Sequence, residues 1–203
     1  EHNIQGIGDK HIPFIHNVTN TDVVVGVSDR ACDELGVAFA TAEGRARLSA
    51  AGVDDAVLDT LGHFGLSSIC NVIAAIKVSR ELDLGPDDAL VTVATDGGEM
   101  YGSERESMMA GRYAAGFGDA EAEAAITTHL LGADTDHVEV LTETGRNRIF
   151  NLAYYTWVEQ HGVEFADFEV RRSQDFWRHI QTFAPSWDAM IDEFNGHTGV
   201  LAG

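Results

Sequence analysis

The chain has almost no lysine. Only Lys10 and Lys77 occur among 203 residues, and Lys plus Arg total 13 against 33 Asp plus Glu, a formal charge of −20. Binding phosphates needs a basic patch, so nucleic acid is a poor partner for this surface. Acidity on this scale suits solubility in a salty or crowded medium. Cysteine is equally scarce. Cys32 and Cys70 have no metal-ligand spacing and form no disulfide framework, and both read as small buried apolar residues. The nine histidines show no His-x-x-x-His spacing, so no metal site is expected. No apolar run reaches the length of about 18 residues that a membrane helix needs. No charged-then-apolar leader follows Glu1. A cytoplasmic protein without membrane contact is the expectation.

What is present divides into two stretches of different character. At 44% hydrophobic, the chain can form one sizeable core with a smaller appendage. Val23 to Val27 is a β-branched run that reads as a buried strand, with Ser28 as N-cap of the helix behind it. Glu43–Ala50 and Asp54–Leu61 read as helices separated by Gly52. Ser67 or Ser68 is placed to cap a further helix, with Ile69, Val72, Ile73 and Ile76 at helical spacing. Gly85-Pro86-Asp87-Asp88 reads as a turn, and Ala89 to Ala94 as a second apolar strand. Strands alternating with helices predict an α/β fold with a parallel sheet. Asp96-Gly97-Gly98 then lies where such sheets bind ligands. After Ser103 the pattern becomes helical throughout, over 104–115, 121–131, 147–161, 165–180 and 186–194. Phe150, Tyr154 and Trp157 share one helical face, read first as core packing and second as a subunit contact.

Three segments in order carry a family resemblance. They are Ile4-Gln5-Gly6-Ile7-Gly8-Asp9-Lys10-His11-Ile12-Pro13, then Gly65 to Lys77 with its Ser67-Ser68 pair, then Thr95-Asp96-Gly97-Gly98-Glu99-Met100-Tyr101. Together they resemble the glycine loop, the pyridine-end helix and the ring-closing turn of cysteine-synthase-like enzymes, which use pyridoxal 5'-phosphate. The resemblance implies an α/β chain forming part of the parallel-sheet large domain of a fold type II pyridoxal phosphate enzyme over residues 1–104. Residues 105–203 would form a helical extension. It implies that Ser68, with Ser67 beside it, meets the pyridine nitrogen. Gly6, Ile7 and Gly8 would run beside the ring, and Thr95 and Asp96 would close over it. Departures from the pattern are Asp9 and Lys10 in place of small residues, and Ile69-Cys70 in place of Gly-Ala.

A serine hydroxyl shares a hydrogen bond with the ring nitrogen without protonating it, which suits β-elimination and β-replacement better than transamination. The family's Schiff-base lysine and phosphate loop lie earlier in the pattern than all three segments. Lys10 and Lys77 match neither and read as surface residues. No catalytic residue is therefore expected in this chain. The expectation is a subunit or fragment that acts on an amino-acid substrate inside a hetero-oligomer. A second protein chain would supply the lysine and the phosphate loop. The alternative is a non-catalytic assembly or regulatory partner that retains the fold.

Overall fold

The computed structural model describes residues 4, 7–8 and 11–200. The chain divides into two compact units, one comprising Glu1–Asp9 and Val23–Val140, the other Lys10–Asp22 and Leu141–Gly203.

The first unit contains β1 (Val23–Val25), α1 (Asp29–Ala40), α2 (Ala42–Ala50), α3 (Asp55–Leu58), α4 (Leu66–Glu81), α5 (Gly102–Ala110), α6 (Asp119–Ile126) and β2 (Val138–Val140). Its centre is α1. Ser28 starts that helix as the sequence predicts, its hydroxyl accepting the Ala31 N–H at 3.2 Å. Cys32, Leu35 and Ala38 fall on one side of α1 and are fully buried. Around them pack α2, α4, α5 and α6, so that Leu48, Ile69, Ile73, Tyr113, Ala122 and Ile126 join one core. Thr41 ends α1 and caps α2, accepting the Gly44 N–H at 3.4 Å.

Among the described residues the expected parallel sheet is absent. The described sheet has two strands, and they are antiparallel, Val23 opposite Val140 and Val25 opposite Val138. The α/β expectation is therefore overturned in favour of a mainly helical chain. The physical reason lies in what a β-branched run specifies. It favours extended backbone, but it does not choose the neighbour. Val23–Val25 finds its partner in a short Val-Glu-Val segment that carries too little apolar pattern to read as a strand. Ala89 to Ala94 joins no ladder. The expected division after Glu104 falls within α5 of the first unit.

The second unit is helical, as its sequence pattern predicts. It holds a 3-10 turn at Val18–Asn20, then α7 (Glu143–Tyr154), continued by a π-helical stretch at Tyr155–Gln160. α8 (Phe165–Glu169), α9 (Gln174–Gln181) and α10 (Ala184–Thr198) follow. Val18, Phe150, Ala153 and Phe168 form its core, with Tyr154 and Trp157 packed against them. The Phe150 and Phe168 rings lie 4.6 Å apart between centroids. The aromatic stripe thus packs inside the unit. Buried Arg171 stands over the Phe14 ring at 4.3 Å, a cation–π contact, and burial lowers its pKa from the ordinary arginine value. Among the described residues, no helix is long and apolar enough to cross a membrane.

Candidate functional site

The site expected from the sequence centres on the start of α4. Its N-cap is Gly65, and neither serine caps it. Ser67 and Ser68 lie inside the first turn, both buried, and both hydroxyls reach across to Thr95. Ser68 Oγ accepts the Thr95 N–H at 3.0 Å. Ser67 Oγ and Thr95 Oγ1 share a short hydrogen bond. The expected capping role is corrected accordingly. Because the helix begins one residue before the pair, the serine side chains project towards the neighbouring loop, away from their own backbone.

That loop is stitched to α4 at successive points. Asn71 Nδ2 donates to the Val93 carbonyl at 3.1 Å. Gly65 N–H donates to the Asp96 carbonyl at 2.8 Å. The Tyr101 hydroxyl donates to Asp96 Oδ2 at 2.9 Å. Burial first, and the hydrogen bond to Asp96 second, raise the Tyr101 phenol above its ordinary pKa. Two glycines make the approach possible. A Cβ on Gly65 would lie 2.5 Å from the Tyr101 ring, and one on Gly98 would lie 2.7 Å from the Gly62 carbonyl oxygen. The structure therefore brings Ser67, Ser68, Thr95 and Asp96 together. Of the glycine loop, Ile7 packs against the same core and Gly8 adopts a left-handed φ of 71°. Gly6 and Lys10 lie outside the described residues.

The chemistry available here is that of a neutral donor at the positive end of a helix. Ser68 accepts one hydrogen bond, from the Thr95 N–H, and its hydroxyl also carries a proton that can donate. The first turn of a 16-residue helix carries a partial positive charge. Both features favour a neutral acceptor such as an unprotonated pyridine nitrogen. Ser68 is itself only 1% exposed, enclosed by the chain's own residues. The cavity beside Gly65, Leu66 and Tyr101 has only about 10 Å³, room for about one water and not for a ring.

Two features were not legible in the same way. Lys77, expected at the surface, is buried and pairs with Asp134 at 2.9 Å. The signal was there: Leu66, Ile69, Ile73 and Lys77 recur at helical spacing on one buried face, and the aliphatic stem of a lysine can cover apolar surface. Glu34 of α1 is buried and meets Arg30 at 2.7 Å, Arg112 at 2.6 Å and His129 at 2.8 Å. Burial pushes its carboxyl up, but hydrogen bonds from Arg30 and His129 outweigh this and hold it below the ordinary value. Nothing in the local sequence marks Glu34, because its partners Arg112 and His129 arrive from distant segments. Cys32 and Cys70 are both free. The Cys32 thiol is raised by a hydrogen bond with Cys70 and by burial. Among the described residues, no group of three His, Cys, Asp or Glu side chains could hold a metal ion. Compared with protein-family models, curated proteins and solved structures, the chain matches none.

Proposed function

We propose that this chain is one subunit or fragment of a cytoplasmic, pyridoxal-phosphate-dependent enzyme of the cysteine-synthase-like kind. Its substrate would be an amino acid bearing a leaving group at the β-carbon, such as cysteine or an O-acylated serine. The observation that carries the reading is the Ser68 hydroxyl. It is fixed by Thr95 in the first turn of α4, with a proton left to donate. Ser68 would donate to the pyridine nitrogen. Thr95 and Asp96, held by Tyr101, would form the turn at the nitrogen end, and Gly6, Ile7 and Gly8 would flank the ring. The cofactor, when bound, supplies the electron sink for loss of the β-substituent. A neutral hydroxyl and a helix N-terminus both disfavour protonating the ring, which suits β-elimination and β-replacement. The covalent anchor for the cofactor and the donors for its phosphate would come from a second chain.

A second reading has its own observation. Both serine hydroxyls are already engaged in holding Thr95, and the adjoining cavity is small. That favours a non-catalytic partner in which the same residues only fasten a loop. Absorption of the assembled complex separates the two. A band at the edge of the visible, lost or shifted in Ser68→Ala, supports the enzyme reading. A colourless complex that stays colourless with added pyridoxal phosphate overturns it.

A further inference from the structure

The segment Ala89 to Ala94 is β-branched and apolar, yet it lies in the open. Leu90 is 47% exposed, Val91 94% and Val93 66%. An exposed Leu is ordinary, but a contiguous apolar run is not. Every residue from Ala89 to Ala94 is exposed. Leu90 and Thr92 line a groove of about 340 Å³ with Val72, Ala75 and Ile76 of α4, while Val91 and Val93 face away. Its backbone is unmet as well. The Asp88 N–H closes a turn onto the Gly85 carbonyl, and no backbone–backbone bond follows until Gly65 donates to the Asp96 carbonyl. Between them two backbone groups have partners among the hydrogen bonds of the described residues, the Val93 carbonyl, bonded by Asn71, and the Thr95 N–H, which donates to Ser68 Oγ, so the groups left unmet are those of residues 89–92 and Ala94 and the Val93 N–H. A row of free N–H and C=O groups is a template for another strand.

We infer that Leu90 to Ala94 is the docking edge for a β-strand of a different, basic polypeptide, which pairs with this backbone and covers Val91 and Val93. The inference rests on the reading above for who that polypeptide is, the chain that completes the cofactor site. The backbone argues for a strand, because only an extended peptide offers alternating donors and acceptors at the required repeat. Charge argues against a second copy of this chain. Antiparallel self-pairing that uses all of 90–94 is centred on Thr92 and sets Asp88 of each copy opposite Asp96 of the other. Like charges directly opposite are destabilising in a ladder, and each copy brings a formal −20. Asp87 and Asp88 at one end of the segment and Asp96 at the other instead fit a strand flanked by lysine or arginine.

The test uses the whole chain and three synthetic peptides, and needs no cofactor, so its outcome is independent of the absorption experiment. One peptide alternates valine and threonine between terminal lysines. A second replaces the lysines by glutamates. A third carries proline in the middle. Amide hydrogen exchange is followed across residues 89–94. The lysine peptide at ten times its Kd is expected to slow exchange there about tenfold, by simple mass action. The glutamate and proline peptides should leave it fast, and Val91→Pro in the chain should abolish protection by the lysine peptide. Slow exchange in the chain alone, no slowing by the lysine peptide, or equal slowing by the glutamate peptide overturns the inference. So does a dimer by sedimentation that Val91→Pro dissolves, which would make a second copy the occupant.

Discussion

At the residue scale the strongest commitments are buried charges and buried hydroxyls. Glu34 is a carboxylate in the core, tolerable because three cationic or hydrogen-bonding side chains converge on it. Its folded pKa is depressed, so its contribution to stability is complete above the ordinary carboxyl value of 4.5 and is lost as the pH falls through the lower folded value. Urea midpoints measured from neutral pH downward should therefore stay level to about pH 5 and then fall. Glu34→Gln should flatten that fall. It should also cost about 1–3 kcal/mol at neutral pH, since Arg30 and Arg112 are partly exposed and can turn to water while buried His129 loses its partner. Ser68→Ala removes one acceptor and should cost about 1 kcal/mol. The enzyme reading requires a larger loss in turnover of the assembled complex than that figure implies. A turnover loss no greater than the melting shift explains would leave Ser68 a fastening residue.

At the element scale, α4 and the loop over its start behave as one piece. Helix, serines, Asn71 and Gly65 all bond into residues 93–96. Gly98 is crowded by backbone in the following turn, with Gly62 and Phe64 carbonyl oxygens 2.7 and 3.0 Å from where a Cβ would stand. Gly98→Ala should thus loosen the turn as well as the fold. The expected result is faster amide exchange at Gly65 and a drop of about 1–3 kcal/mol in stability. A loop merely resting on the helix would instead absorb the methyl with no change at Gly65. The N-cap of α1 offers a simpler comparison. Ser28→Ala should cost about 1 kcal/mol, read from urea denaturation, without disturbing residues 93–96.

At the scale of the whole molecule, each unit has its own apolar core. The three tryptophans, Trp157, Trp177 and Trp187, all belong to the second unit, so intrinsic fluorescence reports on that unit while far-ultraviolet circular dichroism reports on both. Phe168 is 1% exposed against Phe150 and Tyr154. Phe168→Ala should therefore cost the second unit about 3–5 kcal/mol. The fluorescence midpoint should move far, and the part of the dichroism signal that comes from the first unit should move little. Coincident shifts by both probes would mean that the two cores unfold as one. Apolar surface remains in the open at Leu90, Val91 and Val93 of the first unit and at Trp187, Met190, Ile191 and Phe194 of α10.

The sequence by itself determined the local features. Ser28 as a cap, the breaks around Gly52 and Gly85-Pro86, the helices after residue 103 and the inward aromatic face of Phe150, Tyr154 and Trp157 all depend on neighbours within a few turns. Helical periodicity and cap chemistry are properties of adjacent residues. Tertiary structure alone decided what depends on distant segments. It paired Val23–Val25 with Val138–Val140 and left Ala89–Ala94 without a ladder, although both runs carry the same β-branched signal. It turned the serines from caps into clamps on Thr95 and drew Lys77 inward to Asp134. It also gathered Arg112 and His129 around Glu34. A residue type fixes which contacts are affordable, but which surface arrives to make them is set by how the chain closes on itself.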